Sequence, residues 1–264
     1  MIRAWGVWGL LTVGAFAADW RAELSPSAAG TFPEVPAFTA RFAFGWSGIQ
    51  AASGQAALSY EGNEYRVAVT GQTEGWAAQL WRMSARSTVR ALREQFTSIE
   101  IDQREQYANY RISITGKFQP DGVWRLRLRE PSPDPGNWKF LRVAPQRDMV
   151  SAMLFVRSQP LKDGDEIRLI AFPGDSPYLV RIKVETREKL RVMNGERSAI
   201  RLRLFLQKIE TSGPNKGKLQ DHSKFRSGTV WVSDDDKRFP LRAEVNLFIG
   251  YVYAELNGVE FTPP

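Results

Sequence analysis

The 264-residue sequence contains no cysteine and a single histidine, His222. Without cysteine the chain can form neither a disulfide nor a lipid-modified N-terminal cysteine, so an exported form must rely on its hydrophobic core for stability. Zinc sites of the usual His/Cys kind lack their ligands. A Ser-His-Asp triad would have to use His222, and no Gly-x-Ser-x-Gly motif precedes it. We expect His222 in a polar loop or at a strand edge, and the inventory argues against most enzymes.

A long apolar run is found only at the start of the chain. One cation, Arg3, is followed by the apolar segment Ala4–Ala17, which is too short to span a bilayer. The segment closes on the small-x-small pattern Ala15-Phe16-Ala17. The layout predicts a signal peptide over residues 1–17, cleavage near Ala17, and a periplasmic or secreted protein with no transmembrane segment after cleavage.

The charge balance is basic, with 36 Lys and Arg against 29 Asp and Glu, a net charge of +7. Removal of Arg3 with the signal peptide leaves 35 minus 29, or +6. An exported protein meets anionic headgroups and acidic polysaccharides, so no nucleic-acid partner is predicted. Because the cations are spread along the chain, we expect them on a solvated outer face.

Apolar and polar residues alternate through most of the chain, which indicates antiparallel β-strands with one apolar face. Clear examples are residues 178–184 and 200–207. Residues 110–129 are predicted to form a hairpin. The apolar face of its second strand would carry Trp124, Leu126 and Leu128. Its opposite face would carry Arg125, Arg127 and Arg129.

Two segments have helical spacing instead. In residues 73–81 the apolar positions Trp76, Ala77, Leu80 and Trp81 predict a short helix with Thr73 as its N-cap. The second helix is predicted from a capping Asp148 to about Ser158, before Pro160, and is apolar on nearly every side. A helix of that kind belongs inside a domain.

These elements predict a mainly β protein. About ten to twelve antiparallel strands exceed what a flat open sheet usually carries, so we expect a large curled sheet, barrel-like or a β-spiral. It would wrap around one buried α-helix, the one capped by Asp148, with a short second helix elsewhere. Residues 18–36 are predicted as a flexible lead-in and residues 37–264 as a single β-barrel-like domain.

Three consecutive aspartates, Asp234-Asp235-Asp236, lie between two strand-like runs. Calcium loops space their ligands along the chain, and paired-carboxylate catalysis needs two carboxyl groups that face each other across a substrate. Neighbouring carboxylates in a tight turn fit neither arrangement well. We therefore interpret residues 233–237 as a hairpin turn rather than a metal or acid–base site.

The stretch Val230–Leu256 resembles the closing segment of the bacterial domain of unknown function 3108 family. The shared positions are Trp231, Ser233, Asp234, Arg238, Pro240 and Gly250, with Ala254 and Leu256 at the end. Residues 44–62 and 157–166 are similar to that family too, so the resemblance covers about residues 37–261. It implies an exported, mainly β envelope protein, akin to spiral or half-barrel folds that hold lipids or lipoproteins, and it supplies no catalytic residues. The third aspartate and the long basic strands depart from the family pattern.

Candidate ligand-binding residues are the tryptophans of the mature chain and one arginine. Either Trp46, Trp76, Trp81, Trp124 and Trp231 pack in the core, or some of them line an apolar pocket at the mouth of the sheet. Trp76 and Trp81 lie on the short helix, which could act as a lid. Arg157, at the end of the apolar helix, either pairs with a carboxylate or with helix-end carbonyls, or contacts an anionic headgroup.

Three functions stay open. The first is a non-enzymatic envelope protein that binds an apolar or envelope-derived ligand (lipid, lipoprotein or glycan), with no cofactor and no metal. The second is a structural or assembly factor whose basic outer face binds an acidic partner. The third is a glycan hydrolase with two distant carboxylates.

Overall fold

The computed structural model describes residues 19–132, 136–193, 195–221, 227–247 and 250–262. The predicted signal peptide and His222 lie outside these residues. No helix among the described residues is long and apolar enough to cross a membrane.

The described part of the chain consists mainly of β-strands. They are β1 Phe38–Trp46, β2 Ile49–Glu61, β3 Glu64–Thr73, β4 Met83–Leu92, β5 Thr97–Tyr107, β6 Arg111–Gln119, β7 Gly122–Glu130, β8 Lys139–Leu141, β9 Gln146–Asp148, β10 Glu166–Phe172, β11 Tyr178–Val192, β12 Gly195–Ile209, β13 Leu219–Asp221, β14 Ser227–Ser233, β15 Pro240–Asn246 and β16 Tyr251–Phe261. The helices are α1 Gly75–Leu80 and α2 Met149–Ser158, after a 3-10 turn at Trp20–Glu23.

All strands belong to one sheet of 16, in the order β8-β7-β6-β5-β4-β3-β2-β1-β16-β15-β14-β12-β11-β10-β9, with β13 paired to β12. Every neighbouring pair is antiparallel except β9 and β10. The expected ten to twelve strands were therefore too few. The strands β8, β9 and β13 have only three residues each, and so short a segment shows no alternation to recognise.

The sheet curls so that its β9–β10 end packs against the inner face of β5 and β6. The rings of Phe118 on β6 and Phe172 on β10 meet edge to face at 5.8 Å. Gly116 on β6 permits this approach, because a Cβ there would lie 3.2 Å from the Phe172 ring. Beyond β10, the Gln103 side-chain amide donates to the carbonyl of Pro173 at 2.9 Å. The two ends of the open sheet thus overlap.

Helix α2 lies across one end of the sheet, which we call the base. At the base the chain turns between strands at residues 62–63, 93–96 and 234–239. Asp148 caps α2 as expected and its backbone N–H donates to Ser98 of β5 at 2.8 Å. At the other end of α2, Arg157 donates to the carbonyl of Lys237, 2.6 Å away in the β14–β15 connection. The helix therefore bridges two distant parts of the base.

Most of α2 is buried, but not all of it. The residues of α2 from Ser151 to Ser158 are buried with the exception of Met153, whereas Met149 and Met153 are exposed. The prediction of a fully buried helix was therefore wrong in one respect: the side of α2 that carries Met149 and Met153 is open to solvent.

The hairpin of β6 and β7 has the opposite face assignment from the one predicted for β7. Its two-residue turn pairs Phe118 with Val123, and opposite residues share a face. Val123 is therefore buried, and Trp124 points outward and is exposed. Arg125 lies on the inner side of β7, where its guanidinium reaches Asp175 at 2.6 Å.

The short helix α1 also differs from its prediction. It starts one residue later than expected, at Gly75, and its N-cap is Glu74 rather than Thr73, which is the last residue of β3. The Glu74 carboxylate caps no helix N–H and instead accepts a hydrogen bond from Ser53 of β2. Of its six residues only Ala77 is buried.

The described part of the lead-in, residues 19–36, makes specific contacts along the domain. The carbonyl of Gly217 accepts from Trp20 Nε1 at 2.9 Å. The N–H of Ser25 donates to the carbonyl of Arg168 on β10, and the N–H of Arg168 donates to Ser25 Oγ, both at 2.9 Å. Gly30 sits so close to the end of α2 that a Cβ there would be 2.0 Å from the Ser158 carbonyl. Val35 is buried in the main core.

Candidate functional site

An apolar cavity of about 330 Å³ lies between α2 and the strands β10, β11, β12, β14 and β15. Apart from two arginines, its lining residues are aliphatic, aromatic or sulfur-containing. They include Phe38, Met149, Met153, Leu169, Val180, Ile182, Leu202, Leu204, Val230, Val232, Phe239 and Ala243. Because Met149 and Met153 are exposed, the cavity is accessible to solvent beside α2.

The strand alternation of β11 and β12 produces this lining. Ile182 and Leu204 are opposite each other in the register, so both point to the inner face. The alternating cations point outward, where Arg201 and Arg203 pair with Glu185 at 3.0 and 3.2 Å. The predicted two-faced strands of this half of the sheet are confirmed. Their apolar faces enclose a space that α2 only partly fills.

The two arginines of the lining, Arg157 and Arg238, both lie against the ring of Phe32 from the lead-in. Their guanidinium carbons are 5.1 and 3.6 Å from the centre of the Phe32 ring. Arg157 donates to the backbone carbonyls of Pro33 and Lys237, at 2.5 and 2.6 Å. Arg157 is thus paired with carbonyls, but they belong to the lead-in and to the β14–β15 connection rather than to the helix end.

Arg157 carries a buried charge without a carboxylate partner among the described residues. Its Nη2 is buried and makes no hydrogen bond there. Burial, together with the charge of the neighbouring Arg238, lowers the pKa of Arg157 to about 10. The group is still charged at neutral pH, so the lining contains a desolvated cation with one unused donor.

Arg238 closes the end of α2. Its Nη1 donates to the carbonyls of Arg157 and Gln159, and its Nη2 to that of Pro160 at 2.9 Å. The carbonyls of Arg157 and Gln159 are among those that a helix C-terminus leaves without partners, and Pro160 follows the C-cap. Its backbone is in the left-handed region, with φ of 43°. The strained position is held by the hairpin that precedes it.

The three aspartates of that hairpin have separate partners. Asp235 accepts from Ser233 Oγ at 2.6 Å and from the N–H groups of Lys237 and Arg238 at 2.9 and 3.1 Å. Burial opposes ionisation of Asp235, but these hydrogen bonds outweigh it and lower its pKa. Asp234 pairs with Arg187 at 3.3 Å, and Asp236 with Lys237 at 3.0 Å. The three carboxylates thus bind separate partners within and beside a turn, as expected for a hairpin loop.

A buried polar cluster anchors the start of α2. Tyr65 donates to Ser151 at 2.6 Å, and both Ser98 and Ser151 donate to the Asp148 carboxylate. Asp148 also accepts the N–H groups of Val150 and Ser151 at 2.8 and 3.0 Å. Burial raises the pKa of Tyr65, and Asp148 raises it further. Every oxygen of Asp148 is used, so the cluster is a structural cap.

The predicted tryptophans lie away from the cavity. Trp46, Trp76 and Trp81 are at the strand ends opposite the base, an end that we call the rim. Phe38, in the cavity, and Trp46 are the first and last residues of β1, roughly 25 Å apart. Trp124 is on the outer face of β7. Trp231, on the outer side of β14, is buried with the hydrophobic core, the first of the two alternatives for the tryptophans, and its Nε1 donates to Glu188 at 2.6 Å. Of the six predicted ligand-binding residues, only Arg157 lines the cavity.

Two family-signature residues, Arg238 and Pro240, also line the cavity. Ser233 and Asp234 shape the hairpin beside it, whereas Gly250 serves the rim: a Cβ there would lie 2.8 Å from Trp46 Nε1. Sequence reasoning missed the cavity residues Phe38, Met149 and Met153. The sequence did not indicate that Met149 and Met153 are exposed, because α2 is apolar on nearly every side and each side looked equally suited to burial.

A model of the family described as "Protein of unknown function (DUF3108)" matches residues 38–257. The chain belongs to this family. The match confirms the resemblance seen in the closing segment. It includes the hairpin of Asp234–Asp236 and the whole of α2. Among curated proteins, none matches the chain.

The DUF3108 chain is similar in fold to one solved structure with a TM-score above 0.5 and matches others more weakly. A β-barrel-like protein of the domain of unknown function DUF1849 from Brucella abortus has a TM-score of 0.55 at 6% identity, covering 88% of this chain and 100% of its own. A protein from Bacteroides fragilis described as exported, with a YmcC-like fold, has a TM-score of 0.38 at 10% identity, covering 88% and 99%. A protein from Parabacteroides distasonis described as a lipoprotein has a TM-score of 0.33 at 7% identity, covering 88% and 99%.

Proposed function

We propose that this DUF3108 protein is a non-enzymatic, exported envelope protein that binds a ligand with an apolar chain in the cavity between α2 and the sheet. The observation that carries the proposal is the apolar cavity itself, open to solvent beside Met149 and Met153. Cavities of this size and character are typical of sites for lipids and other apolar small molecules. Export rests on the N-terminal sequence pattern.

The polar groups of the lining support binding rather than chemistry. Among the described residues, Arg157 and Arg238 are the charged members of the lining, and none of its other members is a nucleophile or general base. Arg238 has its donors occupied by the end of α2, whereas Arg157 has the unused Nη2. A ligand with an anionic group at one end of its chain would use that donor. Amphipathic lipids have this composition.

The two other functions receive less support. An acidic partner would bind unpaired cations on the outer face. On β12 and β15, however, Arg203 pairs with Glu185 at 3.2 Å and Arg242 with Glu244 at 2.7 Å. For a glycan hydrolase we would expect two carboxylates facing an open groove. The buried carboxylates of the described residues are Asp148 and Glu255, and Glu255 pairs with Arg242 at 2.8 Å.

The experiment is a binding titration with a neutral apolar probe, N-phenyl-1-naphthylamine. We expect saturable fluorescence enhancement with the wild-type protein. Ala243→Phe places a ring in the cavity and should weaken binding by about tenfold or more, because the ring takes the space of the probe. Ala108→Phe, in the exposed β5–β6 connection, is the matched control and should bind as the wild type does.

Two results would contradict the proposal. One is the absence of saturable probe binding to a folded wild-type protein. The other is equal binding by the wild type and a folded Ala243→Phe variant, which would place the probe outside the cavity. If the probe binds in the cavity as expected, mass spectrometry of an organic extract of the purified wild-type protein would identify its natural ligand.

A further inference from the structure

The rim carries a continuous row of apolar and aromatic side chains that the cavity does not use. It runs over the connections between β15 and β16, β1 and β2, β3 and β4, and β5 and β6. We call this row the aromatic rim, and it consists of Trp46, Ile49, Trp76, Leu80, Trp81, Tyr107, Tyr110, Tyr251 and Val252. The strands that carry it are neighbours in the sheet.

Direct contacts join the connections of the aromatic rim. The N–H of Ser47, beside Trp46, donates to the carbonyl of Tyr251 at 2.8 Å. The N–H of Glu74, at the start of the α1 connection, donates to the Ala51 carbonyl at 2.9 Å. These contacts link the β15–β16, β1–β2 and β3–β4 connections into one edge.

The row continues through stacked rings to the next connection. The rings of Trp81 and Tyr107 are 6.0 Å apart, and Tyr107 stacks on Tyr110 at 4.3 Å. The aromatic rim is therefore one surface rather than a set of scattered side chains.

Within this surface, α1 has its apolar side outward. Leu80 is 79% exposed and Trp81 is 58% exposed, and Trp76 is exposed as well. An amphipathic helix on a protein surface normally buries such a side. Contiguous exposed apolar side chains on a soluble domain mark an interaction site. The composition, tryptophan and tyrosine with aliphatic residues, is that of side chains that sit at a membrane–water interface.

The charges beside the aromatic rim favour an anionic partner. Arg82 follows Trp81, and Arg86 is close by on the outer side of β4; both are exposed. Neither forms an ion pair with any described residue. Arg129 lies over the ring of Tyr110 at 4.5 Å and has no carboxylate partner in the described part of the chain. Three cations are thus free to meet headgroups.

Three carboxylates lie at the same end, and one of them, Glu130, forms an ion pair. Glu105 accepts from Tyr107 at 2.7 Å, and Glu130 pairs with Arg111 at 3.1 Å. Glu74 accepts from Ser53. Hydrogen bonds from the Tyr107 and Ser53 hydroxyls leave the charges of Glu105 and Glu74 in place. The cations Arg82, Arg86, Arg111 and Arg129 against Glu74, Glu105 and Glu130, 4 minus 3, leave one net positive charge beside the aromatic rim. This balance favours anionic headgroups, and the exposed indoles favour a lipid surface over an acidic protein.

We propose that the aromatic rim docks on the surface of a lipid bilayer that contains anionic headgroups. Trp76, Leu80 and Trp81 would enter the headgroup region, while Arg82, Arg86 and Arg129 contact phosphates. The proposal concerns the end of the sheet opposite the base, so it stands or falls independently of the cavity ligand.

The test is co-sedimentation with vesicles of phosphatidylcholine mixed with phosphatidylglycerol. We expect the wild-type protein to bind these vesicles and to bind vesicles of phosphatidylcholine alone less well. The double variant Trp76→Ser/Trp81→Ser should bind about tenfold less, because it loses both indoles. Trp124→Ser is the matched control: this tryptophan is exposed too, but lies on the outer face of β7 near the base, and we expect unchanged binding.

A second variant separates charge from apolar insertion. Arg82→Glu/Arg86→Glu leaves the indoles in place and should reduce binding to the anionic vesicles several-fold, with a smaller loss on adding salt than the wild type shows. Circular dichroism and thermal unfolding would establish that each variant is folded.

Several outcomes would overturn the proposal. Wild-type protein that stays in the supernatant with anionic vesicles is one. Equal binding by the folded Trp76→Ser/Trp81→Ser variant is another. A third is a dimer, seen by analytical ultracentrifugation, that this variant dissociates while vesicle binding is absent; the aromatic rim would then be an interface between two copies of the chain.

Discussion

The base and the rim are opposite ends of the same strands, yet they are built differently. At the base, α2, the lead-in and the β14–β15 connection cover the strand ends, and polar side chains such as Asp148 satisfy nearly all of their hydrogen bonds internally. At the rim, the short α1 covers little, and Leu80 and Trp81 face solvent. The base of the sheet is therefore covered, whereas the rim is exposed to solvent.

The comparison shows that the apolar side chains of this protein fall into two groups, one that lines the cavity and one that is exposed at the rim. Those that alternate within β11 and β12 line the cavity, whereas those at the connections of the aromatic rim lie outside any core. Alternation within a strand assigns a residue to a face of the sheet. It does not say which end of the strand will be covered.

The largest contrast should appear when the caps of the two helices are removed. Asp148→Ala deletes the cap of α2 and leaves Ser98 and Ser151 buried without their acceptor, so we expect the free energy of unfolding to fall by about 3 kcal/mol. Glu74→Ala removes the N-cap residue of α1, which makes no capping bond, and should cost less than about 0.5 kcal/mol. Urea unfolding of both variants measures the contrast. Equal losses would show that the base is no more tightly closed than the rim.

The next contrast concerns the arginines of the two ends. We expect the wild-type protein to bind hexadecanoic acid more tightly than hexadecanol, because Arg157 can contact the carboxylate. Arg157→Met keeps much of the side-chain volume but removes the buried cation, so the ratio of the two affinities should fall by about tenfold. Arg86→Met, at the rim, should leave the preference unchanged. Competition against N-phenyl-1-naphthylamine gives both affinities. If Arg157→Met weakened acid and alcohol equally, the guanidinium would only support the fold.

The smallest effect is expected at the aspartate hairpin of the base. Asp235→Asn weakens hydrogen bonds from Ser233 and two backbone N–H groups in a partly exposed turn, so unfolding should require about 1 kcal/mol less at pH 7. The pKa of Asp235 is lowered from 3.8 in the folded protein, so its contribution exists above that pH and disappears as the pH falls through the lowered value.

The matched control for this variant is Asp236→Asn, which loses only an exposed ion pair with Lys237 and should change stability by less than about 0.5 kcal/mol. Denaturant unfolding at pH 7 and near pH 3 measures both. A difference between Asp235→Asn and the wild type that persists undiminished at low pH would contradict the assignment to the ionised carboxylate.

Part of the fold could be predicted because it rests on local patterns. The capping Asp148, the end of α2 before Pro160 and the inner faces of β11 and β12 follow from side chains near in sequence. The face of β7 could not, because a two-residue turn pairs Phe118 with Val123 and reverses the expected sides. Strand register depends on turn geometry, and a shift of one residue exchanges the faces.

The position of the candidate site could not be predicted. The sequence suggested an apolar pocket at the mouth of the sheet, whereas the cavity lies beside α2. Arg157 lines this cavity, while the tryptophans belong to the rim or to the outer side of the sheet, where Trp231 is buried. Tryptophan suits a core, a pocket and an interface equally well, so its identity does not choose among them. That choice depends on which strand ends the helix α2 covers.

By itself the sequence determined the membership of a family, the β-rich architecture, the long apolar helix with its cap, and the turn at the aspartates, because each depends on neighbouring residues. Only the tertiary structure decided how far the sheet curls, that α2 crosses the base and leaves a cavity, and that the aromatic rim stays uncovered. The physical reason is that these properties depend on packing between residues far apart in the chain. Periodicity specifies which side of a strand is apolar, but not what comes to cover it.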